Sequence, residues 1–528
     1  MKTKSIFLSA AIAAATTVAL GSCNDYLDTL PDNRAVLDTK DKISNLLVSA
    51  YPQISHVLVN ELVSDNVDFY GYRNPNTTKF LDETYFWQDE KEADNESMKT
   101  LWVQGYNSIA VANQALQSLD ENGFNDAEGK AIRAEALLCR AYGHFLMVNQ
   151  FSMAYNGQTG STDLGVPIST EVEELNVKKS RGSVADVYAQ IDKDLQEALP
   201  LVTDNYVVPK YHFNRKAAYA FATRFYLFYE KWDKALEYAN ACLGALPASN
   251  LRDWKYIATL PSQDVVFDEL VNANANANLL LSTYYSQAGL YFGPYTLGKR
   301  YSHGAYLGKN EDFSANNVWG KEGFYKSLFA MSGNNFDIHT MLRVPYKFQY
   351  TDPVAGNGYF RTVLPLFTYD ETLLNRAEAY VMLQQYDNAA ADLNTWMHNM
   401  VKTDVQLTPA IIQKFYNSVG YSYADADKIL STVKKHLNPK FTIDAEGSVQ
   451  ETMLQCVLGF RRMETIQQGQ RWWDIKRYGI EIPRREIDAN GTPTKLIDWL
   501  GKDDPRRALQ IPLNVRDAGL PGNPRAAQ

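Results

Sequence analysis

Two stretches far apart in the chain follow one common pattern. The sequence from Ala222, ATRFYLFYEKWDKALEYAN, aligns without a gap over RAEAYVMLQQYDNAAADLN, which begins at Arg376. Identical residues fall at four matched positions: Tyr226 on Tyr380, Asp233 on Asp387, Ala235 on Ala389 and Asn240 on Asn394. Each stretch has helical spacing, a short polar turn with an aromatic residue, and a second helix opened by aspartate. The pattern predicts two antiparallel helix pairs.

Helix pairs of this kind stack into tetratricopeptide-like scaffolds, in which small alanine residues let neighbouring helices approach closely. Generic alanine-rich antiparallel helices are the alternative, and either interpretation makes this part of the chain all α. The segment RAEA also occurs twice, at Arg133 and at Arg376. Helical spacing predicts further helices at 41–53, 96–119, 127–151, 183–199, 371–398, 409–417, 423–435 and 451–469. Ser183 and Asp186 form a capping signal for the start of the helix at 183–199, and Pro200 marks its end.

The remaining sequence is poor in helical periods. Residues 253–368 are rich in Gly, Asn and Tyr, and the Asn-Ala alternation of 272–278 fits either a strand or a loop. The tail from Ile480 is rich in Pro and Gly and is expected to wrap the body as loops. We predict a mostly α fold, a tetratricopeptide-like helical scaffold with a loop-rich, irregular ligand-binding face. The scaffold lies mainly in 41–250 and 370–400, and the loop-rich portion mainly in 253–368 and 401–528.

The N-terminus has the features of a lipoprotein signal peptide. Lys2 and Lys4 precede an uncharged, mostly apolar run from Ser5 to Leu20, which is short for a bilayer span. Leu-Gly-Ser-Cys then ends at Cys23, the lipobox pattern in which a lipid joins the sulfur before cleavage. An ordinary signal with a chance cysteine is the alternative. We expect residues 1–22 to be removed, Cys23 to carry the anchor, and 23–528 to form a single domain.

Composition excludes several classes of function. The formal charge is −9, or −11 once Lys2 and Lys4 are removed, and no basic cluster favours nucleic acid as a partner. The seven His form no HxxxH or HExxH motif, so we predict no metal site and no cofactor. Three cysteines remain after Cys23, an odd number without a CxxC motif, and buried thiols are favoured over disulfides: Cys139, Cys242 and Cys456. We identify no catalytic residue.

Aromatic residues gather in two segments that have no helical period to bury them. Seven lie within 284–306, against about three expected from the chain's 12% aromatic content. The second segment, 70–76, has the sequence YGYRNPN. Flat rings beside Asn, Arg and His suit sugars, which present C–H patches on one face and hydroxyls at the edge. Packing of a loop domain is the alternative. Our candidate ligand-binding residues are Tyr70, Tyr72, Arg73, Asn74, Tyr284, Tyr285, Tyr291, Tyr295 and Tyr301.

Motifs spread over the mature chain resemble those of the SusD/RagB family of outer-membrane nutrient-binding lipoproteins. They occur in the family's order: SCNDYLD at 22–28, EL and SDN at 61–66, RAEALLCRAYGHF at 133–145, GQRWWDIKRYG at 469–479, and IP with NP at 511–524. One departure is that Gln467-Gln468-Gly469 replaces the usual Phe-Glu-Gly, which puts any salt bridge of that glutamate in doubt. Arg471 to Asp474 are expected to be a buried structural signature.

The resemblance implies a tetratricopeptide-like scaffold, surface capture of a nutrient, and a SusC-like TonB-dependent transporter as partner in the outer membrane. It also places a ligand loop after the SDN segment, where residues 70–76 lie. The leading hypothesis is a non-catalytic lipoprotein that faces the cell surface, binds oligosaccharides and delivers them to that transporter. Alternatives are capture of peptides or glycopeptides, a lipid-anchored glycosidase, and an envelope-assembly scaffold.

The lipobox generates a direct prediction. Cys23→Ala removes the sulfur that accepts the lipid, so the protein should leave the outer-membrane fraction of cells that lack the transporter partner. Fractionation and immunoblotting measure this. Ser22→Ala, which keeps a small residue before Cys23, is the matched control and should remain in the membrane fraction. Retention of the Cys23 variant would show that another segment anchors the chain.

Overall fold

A computed structural model describes residues 36–91, 94–173, 179–245, 247–292, 300–321, 323–326, 329–332, 337–340 and 347–525. Its α-helices are α1 Lys40–Leu47, α2 Val57–Val63, α3 Lys79–Tyr85, α4 Met98–Glu121, α5 Ala127–Phe151, α6 Val184–Ala198, α7 Arg215–Phe228, α8 Trp232–Leu243, α9 Trp254–Thr259, α10 Gln263–Leu270, α11 Ala288–Phe292, α12 Ala305–Asn310, α13 Tyr369–Met382, α14 Tyr386–Met400, α15 Pro409–Ser418, α16 Val449–Glu464, α17 Arg471–Arg477 and α18 Leu513–Asp517. The fold is mostly α, as predicted. Among the described helices, none combines the length and the apolarity that crossing a bilayer requires.

The helical scaffold is built from stacked antiparallel pairs. Helices α4, α5 and α6 pack in succession, α7 packs on α8, α8 on α13, and α13 on α14. The two pairs predicted from the repeat also share their turn: Glu230 and Gln384, at matched positions, adopt φ values of 59° and 58°. Ala235 and Ala389 are fully buried where the helices meet. The tetratricopeptide-like prediction is therefore confirmed.

Local signals placed most helix ends correctly. The Ser183–Asp186 capping box opens α6, and α5 has the predicted bounds. The predicted helix at 423–435 is wrong, because the backbone there forms turns. Asp425 accepts hydrogen bonds from the backbone N–H groups of Ile429 and Leu430, at 3.1 and 2.9 Å, and so offers the backbone a non-helical alternative.

Short sheets occupy the irregular part of the chain. The strands are β1 Asp68–Phe69, β2 Asn278–Tyr285, β3 Tyr301–Ser302, β4 Phe329–Ser332, β5 Asp337–Thr340, β6 Lys347–Asp352, β7 Asn357–Thr368, β8 Ile482–Ile487 and β9 Pro493–Leu500. They form sheets of order β3-β1-β8-β9, β2-β7-β6 and β4-β5. The expectation that the tail runs only as loops is wrong, since β8 and β9 form an antiparallel hairpin. The 272–278 segment is a turn that leads into β2.

Buried ion pairs join distant parts of the chain. Arg471 donates to both carboxylate oxygens of Asp65 at 2.8 Å, across 406 residues of sequence. Trp472 and Trp473 are fully buried, and Asp474 pairs with Arg461 at 2.8 Å, which confirms the structural role expected for this signature. The three cysteines are buried and unpaired, also as predicted: Cys139, Cys242 and Cys456.

Glu378 on α13 binds two helices at once. It accepts hydrogen bonds from Arg477 on α17 at 2.6 Å and from the Tyr478 hydroxyl at 2.7 Å, and it pairs with Arg461 on α16 at 2.6 Å. Burial opposes its ionisation, yet Arg477 and Arg461 lower the pKa of Glu378 to about 2. Its contribution to stability is therefore present above pH 4.5, the carboxyl's ordinary value, and is lost as the pH falls toward 2.

Glu378→Gln should lower the free energy of unfolding by about 3 kcal/mol at pH 7, because it leaves two buried guanidinium groups without their shared carboxylate. The matched control is Asp268→Asn, which removes the exposed Lys347–Asp268 pair and should change stability by less than about 1 kcal/mol. Denaturant unfolding measures both. Equal effects of the two variants would contradict the assignment.

Candidate ligand-binding site

A cleft of about 880 Å³ opens where three segments meet. The first wall is the loop after β1, the second is α12, and the third is the turn of the β8–β9 hairpin. Its lining residues are Tyr70, Gly71, Arg73, Asn74, Pro75, Asn76, Ala305, Tyr306, Lys309, Asn310, Glu486, Ile487, Asp488, Ala489, Asn490 and Gly491. Most of these side chains can form hydrogen bonds, and two of them are tyrosines.

The first two walls are tied together by backbone and guanidinium contacts. The Tyr70 N–H donates to the Arg300 carbonyl at 2.8 Å, and the Arg300 Nε donates to the Asn74 carbonyl at 2.7 Å. Strands β1 and β3 pair just before, with Phe69 opposite Tyr301. The loop at 70–76 therefore meets the C-terminal end of the 284–306 segment.

The approach of the two walls requires a glycine. A Cβ atom on Gly304, just before α12, would lie 1.4 Å from the Tyr70 hydroxyl oxygen. The Tyr70 ring thus occupies the space that a side chain at 304 would need. Tyr70 is buried, and its burial raises the pKa of the hydroxyl. The ring position, and with it one wall of the cleft, depends on Gly304.

Arg485 connects all three walls beneath the cleft. Its Nε donates to Asp68 on β1 at 3.0 Å, and its Nη2 donates to Glu311, which follows α12, at 3.1 Å. Arg485 itself lies on β8, next to the cleft residue Glu486. The triad Asp68–Arg485–Glu311 is almost completely buried, so its ion pairs are shielded from solvent and hold the walls in a fixed arrangement.

Tyr306 forms an aromatic platform in the cleft. The Arg485 guanidinium lies 4.5 Å from its ring centroid, a cation–π contact from the protein side. The Tyr306 hydroxyl accepts a hydrogen bond from the Ser431 N–H at 3.1 Å. The half-buried ring is thus fixed at its face and at its tip, and it still lines the cavity.

The cleft also contains charged groups of both signs. Arg73 and Lys309 line it, and neither makes an ion pair with any residue that the structure describes. Glu486 and Asp488 lie on the hairpin side. Hydrogen bonds from the Thr492 and Asn490 N–H groups lower the pKa of Asp488. The arrangement suits a hydrogen-bonding, polar ligand with a flat apolar face.

The ligand-binding residues predicted from the sequence lie in different parts of the structure. Tyr70, Arg73 and Asn74 line the cleft, and Tyr72 lies on the same loop, 59% exposed, with its ring stacked on Phe86 at 6.2 Å. Tyr301 is buried behind the wall and donates to Asp82 at 2.6 Å.

Three further candidates that the structure describes do not line the cleft: Tyr284, Tyr285 and Tyr291. Tyr284 is 1% exposed and belongs to the core. Tyr285 lies on the open face of β2, in edge contact with Tyr359 at 4.6 Å, and Tyr291 is half-buried on α11. Tyr295 and Cys23 lie outside the described residues.

Sequence reasoning missed one wall of the cleft completely. The hairpin turn at 486–491 contributes six lining residues, and Lys309 and Asn310 complete α12. The one available signal was Asp488-Ala-Asn490-Gly491, a hairpin-turn sequence within the tail that we expected to form loops. Across the described ranges, no group of three or more His, Cys, Asp or Glu side chains could hold a metal ion.

Comparison with known proteins agrees with this architecture. The family model "Starch-binding associating with outer membrane" (SusD-like) matches residues 25–227, and the SusD family model matches residues 283–498. A search of curated proteins found no match.

Solved structures show the same fold. A SusD superfamily protein from Bacteroides thetaiotaomicron aligns with a TM-score of 0.63 at 18% identity, over 93% of this chain and 100% of its own. A protein from Bacteroides vulgatus that is provisionally described as sugar-binding aligns with a TM-score of 0.64 at 18% identity, over 93% of this chain and 99% of its own. A SusD-like carbohydrate binding protein from the same species aligns with a TM-score of 0.59 at 16% identity, over 92% and 97%.

Gly304→Ala should displace Tyr70 and lower the free energy of unfolding by about 1–3 kcal/mol, because the new methyl group overlaps the tyrosine hydroxyl. Gly420→Ala is the control, since a Cβ there has no atom within 4 Å. The double variant Gly304→Ala/Tyr70→Phe removes the clashing oxygen and should recover part of the loss. Thermal and denaturant unfolding measure all three, and an unchanged Gly304→Ala protein would contradict this packing.

Proposed function

Since the chain belongs to the SusD/RagB family, we propose that it is a non-catalytic surface lipoprotein that binds oligosaccharides and delivers them to a SusC-like TonB-dependent transporter. One of the two family models that match it is described as starch-binding and associating with the outer membrane, and the other as the SusD family. A carbohydrate-binding role is therefore supported at the level of the family. The particular ligand, the transporter and the lipid anchor are parts of this proposal.

The single observation that carries the proposal is the fixed Tyr306 ring within a polar cleft. A sugar ring stacks its C–H face on an aromatic ring and directs its hydroxyls toward donors and acceptors at the edge. Arg73, Asn76 and Asn310 supply such groups around Tyr306. Because Arg485 and Ser431 already hold the ring, binding does not have to order it, and this pre-organisation favours affinity.

The Asp488 carboxylate supports capture without turnover. A glycosidase needs one carboxyl whose pKa is raised so that it can donate a proton to the leaving group. Asp488 shows the opposite behaviour, since backbone hydrogen bonds lower its pKa. Its Oδ1 atom is also occupied by the N–H groups of Asn490 and Thr492. Asp488 thus stabilises the hairpin turn through these hydrogen bonds.

Peptide or glycopeptide capture is the second candidate. The observation that favours it is the presence of two cationic and two anionic side chains around the cleft: Arg73, Lys309, Glu486 and Asp488. Neutral sugars do not require such charges, whereas peptide termini and charged side chains pair with them. Competition between neutral glycans and charged peptides distinguishes the two.

The stretch between the proposed lipid anchor at Cys23 and the described body is long enough to hold that body off the membrane. Twelve residues, and so thirteen Cα–Cα steps, separate Cys23 from Val36, the first described residue. At about 3.4 Å per extended residue, they span at most about 45 Å. This reach is compatible with a body that sits on a barrel transporter while its lipid remains in the adjacent leaflet.

We predict that Tyr306→Leu weakens oligosaccharide binding by about thirtyfold, since loss of an aromatic anchor costs about 2 kcal/mol. Arg73→Ala should weaken binding by about fivefold without a change in melting temperature, because Arg73 is exposed and lacks an ion pair in the described structure. The control is Tyr256→Ala, an exposed tyrosine on α9 outside the cleft. A glycan array followed by calorimetry with the best ligand measures these effects.

Incubation of the purified protein with its best ligand tests the function itself. The protein should bind the oligosaccharide and release no reducing ends over hours. Release of reducing ends would contradict the non-catalytic proposal. Normal saccharide binding by both cleft variants would place the site elsewhere, and exclusive binding of peptides would select the second candidate.

A further inference from the structure

A second cavity, of about 220 Å³, is lined by an excess of cationic groups. It lies between the segment after α5, the end of α17 and the turn that precedes residue 507. Its charged lining residues are Lys440, Lys476, Arg477, Lys502 and Arg507, against Asp163 and Asp503. None of its lining residues belongs to the Tyr306 cleft, so what it binds is independent of the proposed function.

Lys476 is the central group of this cavity. It is 8% exposed, and its Nζ donates to the backbone carbonyls of Asn149 at 2.7 Å and Ser152 at 2.5 Å. An ammonium has three N–H donors, and the third has no acceptor among the residues that the structure describes. Burial and the charge of Arg507 lower the pKa of Lys476 to about 7.

Arg507 faces the same cavity, and its hydrogen bonds also go to neutral groups alone. It donates to the carbonyls of Gly501, Ile475 and Ile480 at 2.8, 3.0 and 2.6 Å. These bonds use three of its five N–H donors. Burial lowers the pKa of Arg507 to about 10. Two buried cations therefore retain unused donors beside one another.

The carboxylates of the cavity are committed to other partners. Asp503 pairs with Lys440 at the mouth, at 2.5 Å, and Asp163 accepts from the Thr159 hydroxyl at 2.6 Å. Arg477 is neutralised by Glu378 and Asp474, both outside the cavity. Over the described ranges, three cations of the cavity consequently have no carboxylate ion pair: Lys476, Lys502 and Arg507.

We propose that this cavity is a binding site for a small oxyanion, either free phosphate or sulfate or the carboxylate or sulfate of an acidic ligand. Buried cations without a carboxylate in direct contact are costly, and an oxyanion would offset that cost with charge-assisted hydrogen bonds. Asp504, Glu481 and Asp503 act on Arg507 only through longer-range attraction. The cavity volume equals about seven water molecules at 30 Å³ each, enough for an oxyanion with its waters or for one acidic sugar unit.

The test is calorimetric titration of the purified full chain with sodium phosphate and sodium sulfate, against sodium chloride at equal ionic strength. Saturable binding of the oxyanions is expected. Lys502→Ala should weaken it at least about fivefold while the exposed position leaves the fold intact. Lys476→Met should abolish it, with circular dichroism as the check on folding. Lys414→Ala, an exposed lysine on α15, is the matched control and should bind as the unaltered protein does.

Further arms identify the source of the oxyanion. If methyl glucuronide binds more tightly than sulfate, the oxyanion is a carboxylate carried by a saccharide. If sulfate binds more tightly, the oxyanion is a free ion. Methyl glucoside, which has no charge, should not bind to this cavity. Sulfate should bind more tightly at pH 6 than at pH 8, because Lys476 is protonated at the lower pH while sulfate keeps its charge. The other charged groups that face this cavity are Lys440, Lys502, Arg477, Arg507, Asp163 and Asp503. Absence of saturable oxyanion binding, or equal affinity in Lys502→Ala, would overturn the proposal.

Discussion

The structure depends on a buried cluster of ion pairs that joins the start, the middle and the end of the chain. Arg462 donates to Glu311 at 2.7 Å, Lys435 donates to the same carboxylate oxygen, and Arg471 binds Asp65 with two hydrogen bonds. Burial alone would raise the pKa of Asp65, but Arg462 and Arg471 lower it well below its usual range. Such a cluster stabilises the fold only when every member is present, because each unpaired buried charge costs several kcal/mol.

The cleft that contains Tyr306 is a consequence of that cluster. Glu311 and Arg485 belong to it, and they hold α12 and the β8–β9 hairpin against the loop after β1. Loops are ordinarily the most mobile parts of a protein, yet here their bases are fixed by buried charge. The rigid position of Tyr306 follows from the same contacts, since its ring rests on Arg485. The stability of the fold and the geometry of the cleft therefore have one physical origin.

The helical scaffold could be predicted from sequence because apolar periodicity, caps and the matched helix pairs all act locally. The β8–β9 hairpin could not, since Arg484 and Arg485 are buried there and erase the alternation of apolar and polar residues that indicates a strand. Aromatic density pointed to the loop at 70–76, which lines the cleft. It could not separate the buried Tyr284 from the cleft residue Tyr306, because the position of Tyr306 depends on its contact with Arg485, 179 residues away in the sequence.

We propose that a saccharide binds between Tyr306 and the loop at 70–76 and is released intact. The decisive experiment is a crystal structure of the protein with its best-binding oligosaccharide. We expect an intact sugar with one ring stacked on Tyr306 and its hydroxyls toward Arg73 and the 486–491 turn. A sugar bound only on the exposed Tyr285–Tyr359 face, or a cleaved product in the cleft, would contradict it.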